Sequence, residues 1–430
     1  MKFFRIILII CAAIIHVYGQ NISLMNLKGN LHATYLNPAL KVDKKLNISL
    51  PGVHVLIGAD GYSVNQLTSK NNSGARYIDL NVSEKIKHDQ NLFFRNEIHT
   101  IDLSYGLSDW VFMAGHAFKS EGNLSIPRDL LSVISNGNAA YIGQKLSIGP
   151  QININAYNEF YGGIQKDFGQ VSIGAKAKLI YGVSNLYTEK GVINFTTDNE
   201  FYQLNFETNY IARSSSLLDY YSLDSIKVNY NVLSFDNLFY NNMGMAFDFG
   251  VTIQLNESVL VSASVLDIGK INWDYSPRKF VSKGNFKFDG IDIVDYIGDS
   301  TSISIKDTLL DILDVTQGIE KYSTLLNGIY TLGLQFNYQN DWTFNSLLVF
   351  ADNFNAHQTS VAFSAKRKFS IFELGVQYRL SKNNFTALGL FGKLRLGPFS
   401  IFASSENIIG LIKPFDSKSA SIRLGSALQF

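Results

Sequence analysis

Lys176, Lys178, Lys366, Arg379, Lys393, Arg395 and Arg423 each stand at a polar position in a segment where apolar and polar residues alternate, and so do Asp102, Glu159, Asp248 and Glu373. Several of the cations crowd toward the carboxyl end. A basic wall of this kind attracts an anion such as a fatty-acid or lipid head group, or a phosphate. The same residues would equally furnish an ordinary polar barrel interior, paired with carboxylates or facing water. His99 and His116 flank a short turn at 107–109 and would approach one another across a hairpin, a metal-ligand pairing that lacks a third member. His99 with Ser104 can be fitted to a lipid hydrolase, but nothing in the spacing selects them. Gly-x-Ser-x-Gly, His-Glu-x-x-His and phosphate-loop patterns are all missing. No catalytic residue, metal or cofactor is assigned, and no enzyme is expected.

Acidic residues recur at Asp289, Asp292, Asp295 and Asp299, then at Asp307, Asp311 and Asp314 along an amphipathic helix carrying Leu309, Leu310, Ile312 and Leu313. The one-to-twelve spacing of a calcium loop is absent, so these read as solvated loop carboxylates. The helix, like a shorter apolar one at Leu130 to Ile134, needs cover for its leucines, over a barrel mouth or against a partner. Asn229 to Asn242 is aromatic and Asn-rich, and reads as a tall outer hairpin.

The elements that position these residues are strands. Phe247, Phe249, Val251, Ile253 and Leu255 alternate with Asp248, Gly250, Thr252 and Gln254; Phe372, Leu374, Val376, Tyr378 and Leu380 alternate with Glu373, Gly375, Gln377 and Arg379. Period two places each set on one face. The pattern predicts strands near 46–57, 97–106, 110–119, 154–167, 170–186, 243–255, 259–271, 330–338, 342–351, 359–367, 371–380, 386–396, 398–407 and 419–430. That makes about 14, long enough to cross a bilayer tilted. Short turns at 106–109, 167–169, 256–258, 339–341, 367–370 and 397–398 alternate with long excursions at 58–96, 120–153, 187–242 and 272–329, all on one side. The reading is an all-β fold: a transmembrane antiparallel barrel with short turns at one end and long loops at the other. Trp110, Trp273 and Trp342 fall at strand ends, where membrane-interface aromatics gather. Leu424, Leu428 and the final Phe430 share one face of the last strand, as in an insertion signal read by the barrel assembly machinery.

Composition agrees. The 430 residues are 46% hydrophobic and 13% aromatic but only 17% charged, with a net charge of +1, which excludes a disordered chain and argues against nucleic-acid binding. Lys2 and Arg5 precede the apolar run Ile6 to Ile15, and Val17-Tyr18-Gly19 provides a cleavage site before Gln20. Residues 1–19 therefore read as a signal peptide, too short for a spanning helix. Cys11, the single cysteine, would leave with it, ruling out disulfides and thiolate chemistry. Residues 20–45 read as an amino-terminal plug and 46–430 as the barrel.

At Asn37-Pro38-Ala39 the sequence resembles the plug boundary of FadL-type fatty-acid transport barrels, which have 14 strands. Val265-Leu266-Asp267-Ile268-Gly269-Lys270-Ile271-Asn272-Trp273 and Ser405-Glu406-Asn407-Ile408-Ile409-Gly410 resemble a Bacteroidota family of outer-membrane barrels of unknown function. That family is similar in layout to FadL-type channels and to the accessory barrels of gliding and type IX secretion. The resemblance implies an outer-membrane location and passage of a hydrophobic or amphipathic small molecule. Its alternative is a non-transporting anchor or assembly barrel that contacts surface or secretion proteins.

Overall fold

The computed structural model describes residues 22–60, 62–70, 76–78, 87–216, 218–220, 226–228, 234–288, 314–339, 341–353, 356–380 and 387–430. Residues 1–21, the acidic excursion from Asp289 to Asp311 with the helix expected there, and residues 229–233 of the stretch 229–242 lie outside them.

Fourteen antiparallel strands close into a barrel. They are β1 (Leu46–Asp60), β2 (Gln90–Leu107), β3 (Trp110–Ile126), β4 (Gln151–Asp167), β5 (Val171–Thr197), β6 (Met243–Gln254) and β7 (Val259–Trp273). The circuit continues with β8 (Ile329–Tyr338), β9 (Trp342–Asn353), β10 (Ala356–Lys368), β11 (Phe372–Leu380), β12 (Ala387–Leu396), β13 (Phe399–Ser405) and β14 (Ser419–Gln429). Each pairs with its sequence neighbour, and β14 returns to β1, so the barrel has no free edge. Phe430 completes the closure: its backbone N–H donates to Leu46 O at 2.8 Å and its carbonyl accepts from Leu46 N at 3.1 Å.

Burial is inverted relative to a soluble sheet. In β6 the polar or small Gly244, Asp248, Gly250 and Thr252 are buried, while Met245, Phe247, Phe249 and Ile253 are exposed, Phe249 at 54%. β5 repeats this, with Ser172, Lys176 and Lys178 inside and Ile173 and Leu179 outside. The outer faces of Leu332, Leu334, Phe363, Leu374, Val376, Leu390, Ile401 and Leu424 continue an apolar belt around the wall. Such a belt is stable only against hydrocarbon, and closed barrels satisfy every wall N–H and C=O there. No helix among the described residues is long and apolar enough to cross a membrane.

The alternation slips at bulges, which has consequences for two sets of residues. Phe247 pairs with Ile268 but Phe249 with Val265, so two residues of β7, Leu266 and Asp267, share one opposing position. Asp267 adopts φ +57°, the left-handed region that an extra bulge residue uses. Before the bulge the inward residues are even-numbered (Leu260, Ser264, Leu266); after it they are odd (Ile271, Trp273). Trp273 is therefore fully buried, its indole N–H donating to Thr324 Oγ1 at 2.9 Å, and is not the interface aromatic expected from its place near a strand end. Near the short turns Trp110 is exposed and Trp342 half-buried, each beneath a cation: Lys166 lies 4.4 Å from the Trp110 ring and Arg367 lies 5.4 Å from that of Trp342. A second bulge, at Thr100 between β2 and β3, separates the two histidines. His99 faces inward against Tyr35, whereas His116 faces outward against Phe160 and Phe239, so they form no pair.

Above the rim, β5 continues to Thr197 and carries an outer sheet with strands Leu204–Ser215 and Pro277–Phe288, where sequence alone gave only long loops. Trp273, Tyr157, Ile180, Ile271 and Leu326 form a separate apolar cluster. The short apolar helix expected near Leu130 is present as Arg128–Asn136, and Phe235–Phe239 is a helix rather than one arm of a hairpin.

Candidate functional site

Residues 22–43 lie within the lumen. Two 3₁₀ turns, Ile22–Leu27 and Leu31–Tyr35, are joined by Lys28-Gly29-Asn30, and the side chain of Asn30 caps the second by accepting from His32 N at 3.1 Å. Gly29, at φ +85°, makes the turn. The apolar side chains of Ile22, Leu24, Leu27, Leu36 and Leu40 pack with inward residues of the wall, among them Leu266, Ile329, Leu347, Phe391 and Phe402.

The polar fit is made largely through the segment's own backbone. Lys176 Nζ donates to Thr34 O at 2.9 Å, Lys366 Nζ to Asn26 O at 2.8 Å, Ser264 Oγ to Leu36 O at 2.7 Å and Gln429 Nε2 to Gly29 O at 3.2 Å. Asn37 in turn donates to Ala263 O at 2.9 Å and accepts from Ala39 N at 2.8 Å. The Asn37-Pro38-Ala39 turn thus sits inside the lumen against β5 and β6, and the chain leaves for the wall further on, at Lys44 and Lys45. Gly174 and Gly250 allow this approach: a Cβ on Gly174 would stand 2.3 Å from Pro38 C, and one on Gly250 would stand 2.0 Å from Asn37 Oδ1.

Above this segment lies a buried ionic layer. Lys178 Nζ reaches Asp267 at 2.5 Å, Asp248 at 2.7 Å and Glu159 at 3.7 Å; Lys119 joins Glu159 at 2.8 Å and Asp267 at 3.6 Å. The backbone N–H of Asp267 donates to Asp248 Oδ1 at 2.8 Å, so the bulge supplies both a carboxylate and a donor. Asp102 accepts from Tyr35 and, at 2.7 Å, from Tyr161. To one side, Arg423 pairs with Glu97 at 2.9 Å, and His54 and His99 stand 3.7 and 3.9 Å from the same carboxylate. Toward the long-loop end, Arg95 joins Glu121 at 2.5 Å and Arg379 joins Glu406 at 3.4 Å. Glu406 also accepts from Ile22 N at 2.8 Å. The cavity between Tyr35, His99, Lys119 and Lys178 is about 30 Å³, room for a single water.

The expected wall residues separate into two groups. Lys176, Lys178, Asp102, Glu159, Asp248, Arg379 and Arg423 are buried and engaged by groups of opposite charge, by tyrosines or by the amino-terminal segment. Lys366, Lys393, Arg395 and Glu373 gather instead at the short-turn end, where Glu373 takes Lys366 at 2.8 Å and Lys393 at 3.6 Å. Sequence reading missed Lys119, Glu97, His54, Arg95 and Glu121. The signal for Glu97 and His54 was present, because Glu97 and His99 alternate with Ile98, and His54 with Val53 and Val55; Arg95 and Glu121 fall in strand extensions read from the sequence as long excursions. Asp267 was hidden by its bulge. Among the described residues no group of three metal-capable side chains converges.

The wall is irregular beside this layer. Pro51 has no N–H to give, and the β1–β14 register shifts between Leu50 and Val53, opposite Ser426 and Leu424.

Residues 38–406 match the model of a family of unknown function (DUF5723). No curated protein matches. Among solved structures, the P. putida toluene transporter TodX is similar at 10% identity, covering 96% of this chain and 95% of that one with a TM-score of 0.41. A deltaS2 mutant of the TodX monoaromatic hydrocarbon channel covers 93% and 94% at 10% identity, TM-score 0.46. The Ralstonia pickettii toluene transporter TbuX covers 93% of each chain at 9% identity, TM-score 0.35.

Proposed function

The chain belongs to the family of unknown function DUF5723, and from that premise we propose that it is an outer-membrane barrel channel for hydrophobic or amphipathic small molecules, held shut by its own plug. The observation that carries this reading is the docking of residues 22–43 in the lumen by non-covalent bonds to their backbone carbonyls. A segment held in this way can be displaced as a unit without unfolding the wall, because the strand pairing closes from β14 to β1 without it. The offset at Pro51-Gly52 adds a weak point in the strand ladder next to the segment. A second reading, an anchor or assembly barrel for surface or secretion machinery, is favoured by the fill of the lumen, where the cavity between Tyr35, His99, Lys119 and Lys178 is only about 30 Å³.

One experiment separates the two. The full chain and a variant lacking residues 22–43 are reconstituted in planar bilayers and in vesicles, and ion conductance and uptake of a hydrophobic dye are recorded. The channel reading expects a closed full chain, and a conducting variant that also admits dye. If the variant folds, as judged by its circular dichroism, and remains closed, the channel reading fails and the anchor stands.

A further inference from the structure

The short-turn mouth of the lumen holds a cavity of about 220 Å³ that neither the wall pairs nor the plug fills. At about 30 Å³ per water it has room for roughly seven, or for a compact anion with part of its hydration shell. Five cations line it: Lys28 from the amino-terminal segment, Lys366 and Lys368 from β10, and Lys393 and Arg395 from β12. Three carboxylates, Asp43, Asp341 and Glu373, also face it, leaving two positive charges in excess.

The pairing within the cluster is uneven. Glu373 is shared by Lys366 and Lys393, the latter at 3.6 Å although its side chain is only 3% exposed. Arg395 reaches the neutral Gln429 at 3.2 Å, and Gln429 passes on to Gly29 O. Lys28 has no carboxylate within ion-pair distance among the described residues. Burial, reinforced by Lys366 and Lys41 and opposed by Asp43, holds its ammonium below the usual lysine range, as expected where positive charge is under-compensated. The ionic layer deeper in the lumen differs, since there Lys178 and Arg423 each lie against carboxylates at 2.5–2.9 Å.

The geometry points to an anion site in this mouth, taking one carboxylate or phosphate group between Lys28 of the plug and Lys368, Lys393 and Arg395 of the wall. An anion bound there ties the 28–30 turn to β10 and β12. It goes beyond the proposed channel activity and holds equally if the barrel transports nothing. Planar or tetrahedral oxyanions suit the mix of one guanidinium and several ammonium groups, which supply a fork and point charges together.

The test uses the full chain in detergent micelles. Binding of inorganic phosphate is followed by equilibrium dialysis, and laurate is added as a competing carboxylate. Saturable phosphate binding is expected, weakened at least tenfold in Lys28→Gln/Lys368→Gln. These two side chains are only partly buried or exposed, so the fold should tolerate the change. Lys145→Gln, which removes a cation in the outer sheet that pairs with Glu207, should leave binding unchanged. Competition by laurate assigns the site to amphipathic carboxylates as well, whereas phosphate binding indifferent to laurate assigns it to a free inorganic anion. Absence of saturable binding, or equal binding by the double variant and wild type, overturns the site.

Discussion

Replacing Lys178 by Met removes, among the described residues, the only cation within 3 Å of Asp248 and the nearest one to Asp267, in a buried layer. Lys119 would still hold Glu159 at 2.8 Å and Asp267 at 3.6 Å, so the charge stranded by the change is that of Asp248. Removing one partner of a buried pair costs about 3–5 kcal/mol, because the survivor keeps its desolvation penalty without its compensation. The double variant Lys178→Met/Asp248→Asn removes both charges, and the Asn side-chain oxygen can still accept from the Asp267 N–H. Its loss should shrink to about 1–2 kcal/mol, the net value of one or two hydrogen bonds. The assay is a guanidinium titration of the micelle- or bilayer-embedded barrel, read in parallel by tryptophan fluorescence and by the gel-mobility shift between folded and unfolded chain. Coupling shows as a double variant more stable than the Lys178→Met single. A single variant within about 1 kcal/mol of wild type, or a double variant no better than the single, would refute the claim that this layer is buried and tightly paired.

Two further outcomes follow from the inverted burial and from the close approach of the plug. Phe249→Lys, at the middle of β6 on the apolar belt, should cost about 2–4 kcal/mol in bilayers, measured by the same titration; a neutral result would place that face in water. Gly250→Val puts a side chain where Asn37 now lies and should loosen residues 22–43 by about 1–3 kcal/mol of overpacking. Limited proteolysis would then cut that segment faster while the wall stays resistant, and unchanged protection would contradict the packing described.

All fourteen wall strands were legible from period two alone, because one face of each meets hydrocarbon and the other a polar lumen. Long uniform strands such as β6 and β11 announce this without ambiguity. The alternation of short and long connections placed the turns for the same reason. What escaped was everything a bulge alters. Counting by twos through β7 assigns Trp273 correctly only if the extra residue at Leu266-Asp267 is known, and nothing in Val-Leu-Asp-Ile marks it. The same holds for His99 and His116, whose separation depends on Thr100 being the unpaired residue. The outer sheet was invisible because its strands pair with an extension of β5 and with one another above the apolar belt, where strict alternation is not enforced. The inward position of Lys176, Lys178, Arg379 and Arg423 was readable, but not their partners, which depend on which side chains meet across the barrel.

The irregularities of the wall and the charges of the lumen share a physical origin. An unbroken ladder sends every second residue inward, so adding an inward carboxylate requires an outward residue in exchange. A bulge escapes that constraint by turning one extra residue to the lumen while the outward positions remain apolar. Asp267 is such a residue, and it balances Lys119 and Lys178, which the regular parity of β3 and β5 delivers. The shift at Thr100 lies beside His99 and Asp102, and the offset at Leu50-Val53 lies beside His54 and Arg423. Each of these three breaks thus falls next to a member of the ionic layer or of the Glu97 cluster. The wall gives up a few regular ladder positions there, and in return buried cations meet carboxylates within hydrogen-bonding distance rather than facing one another. A barrel whose middle is filled by ion pairs and a folded segment therefore needs an uneven wall, and the bulges belong to the design of its interior.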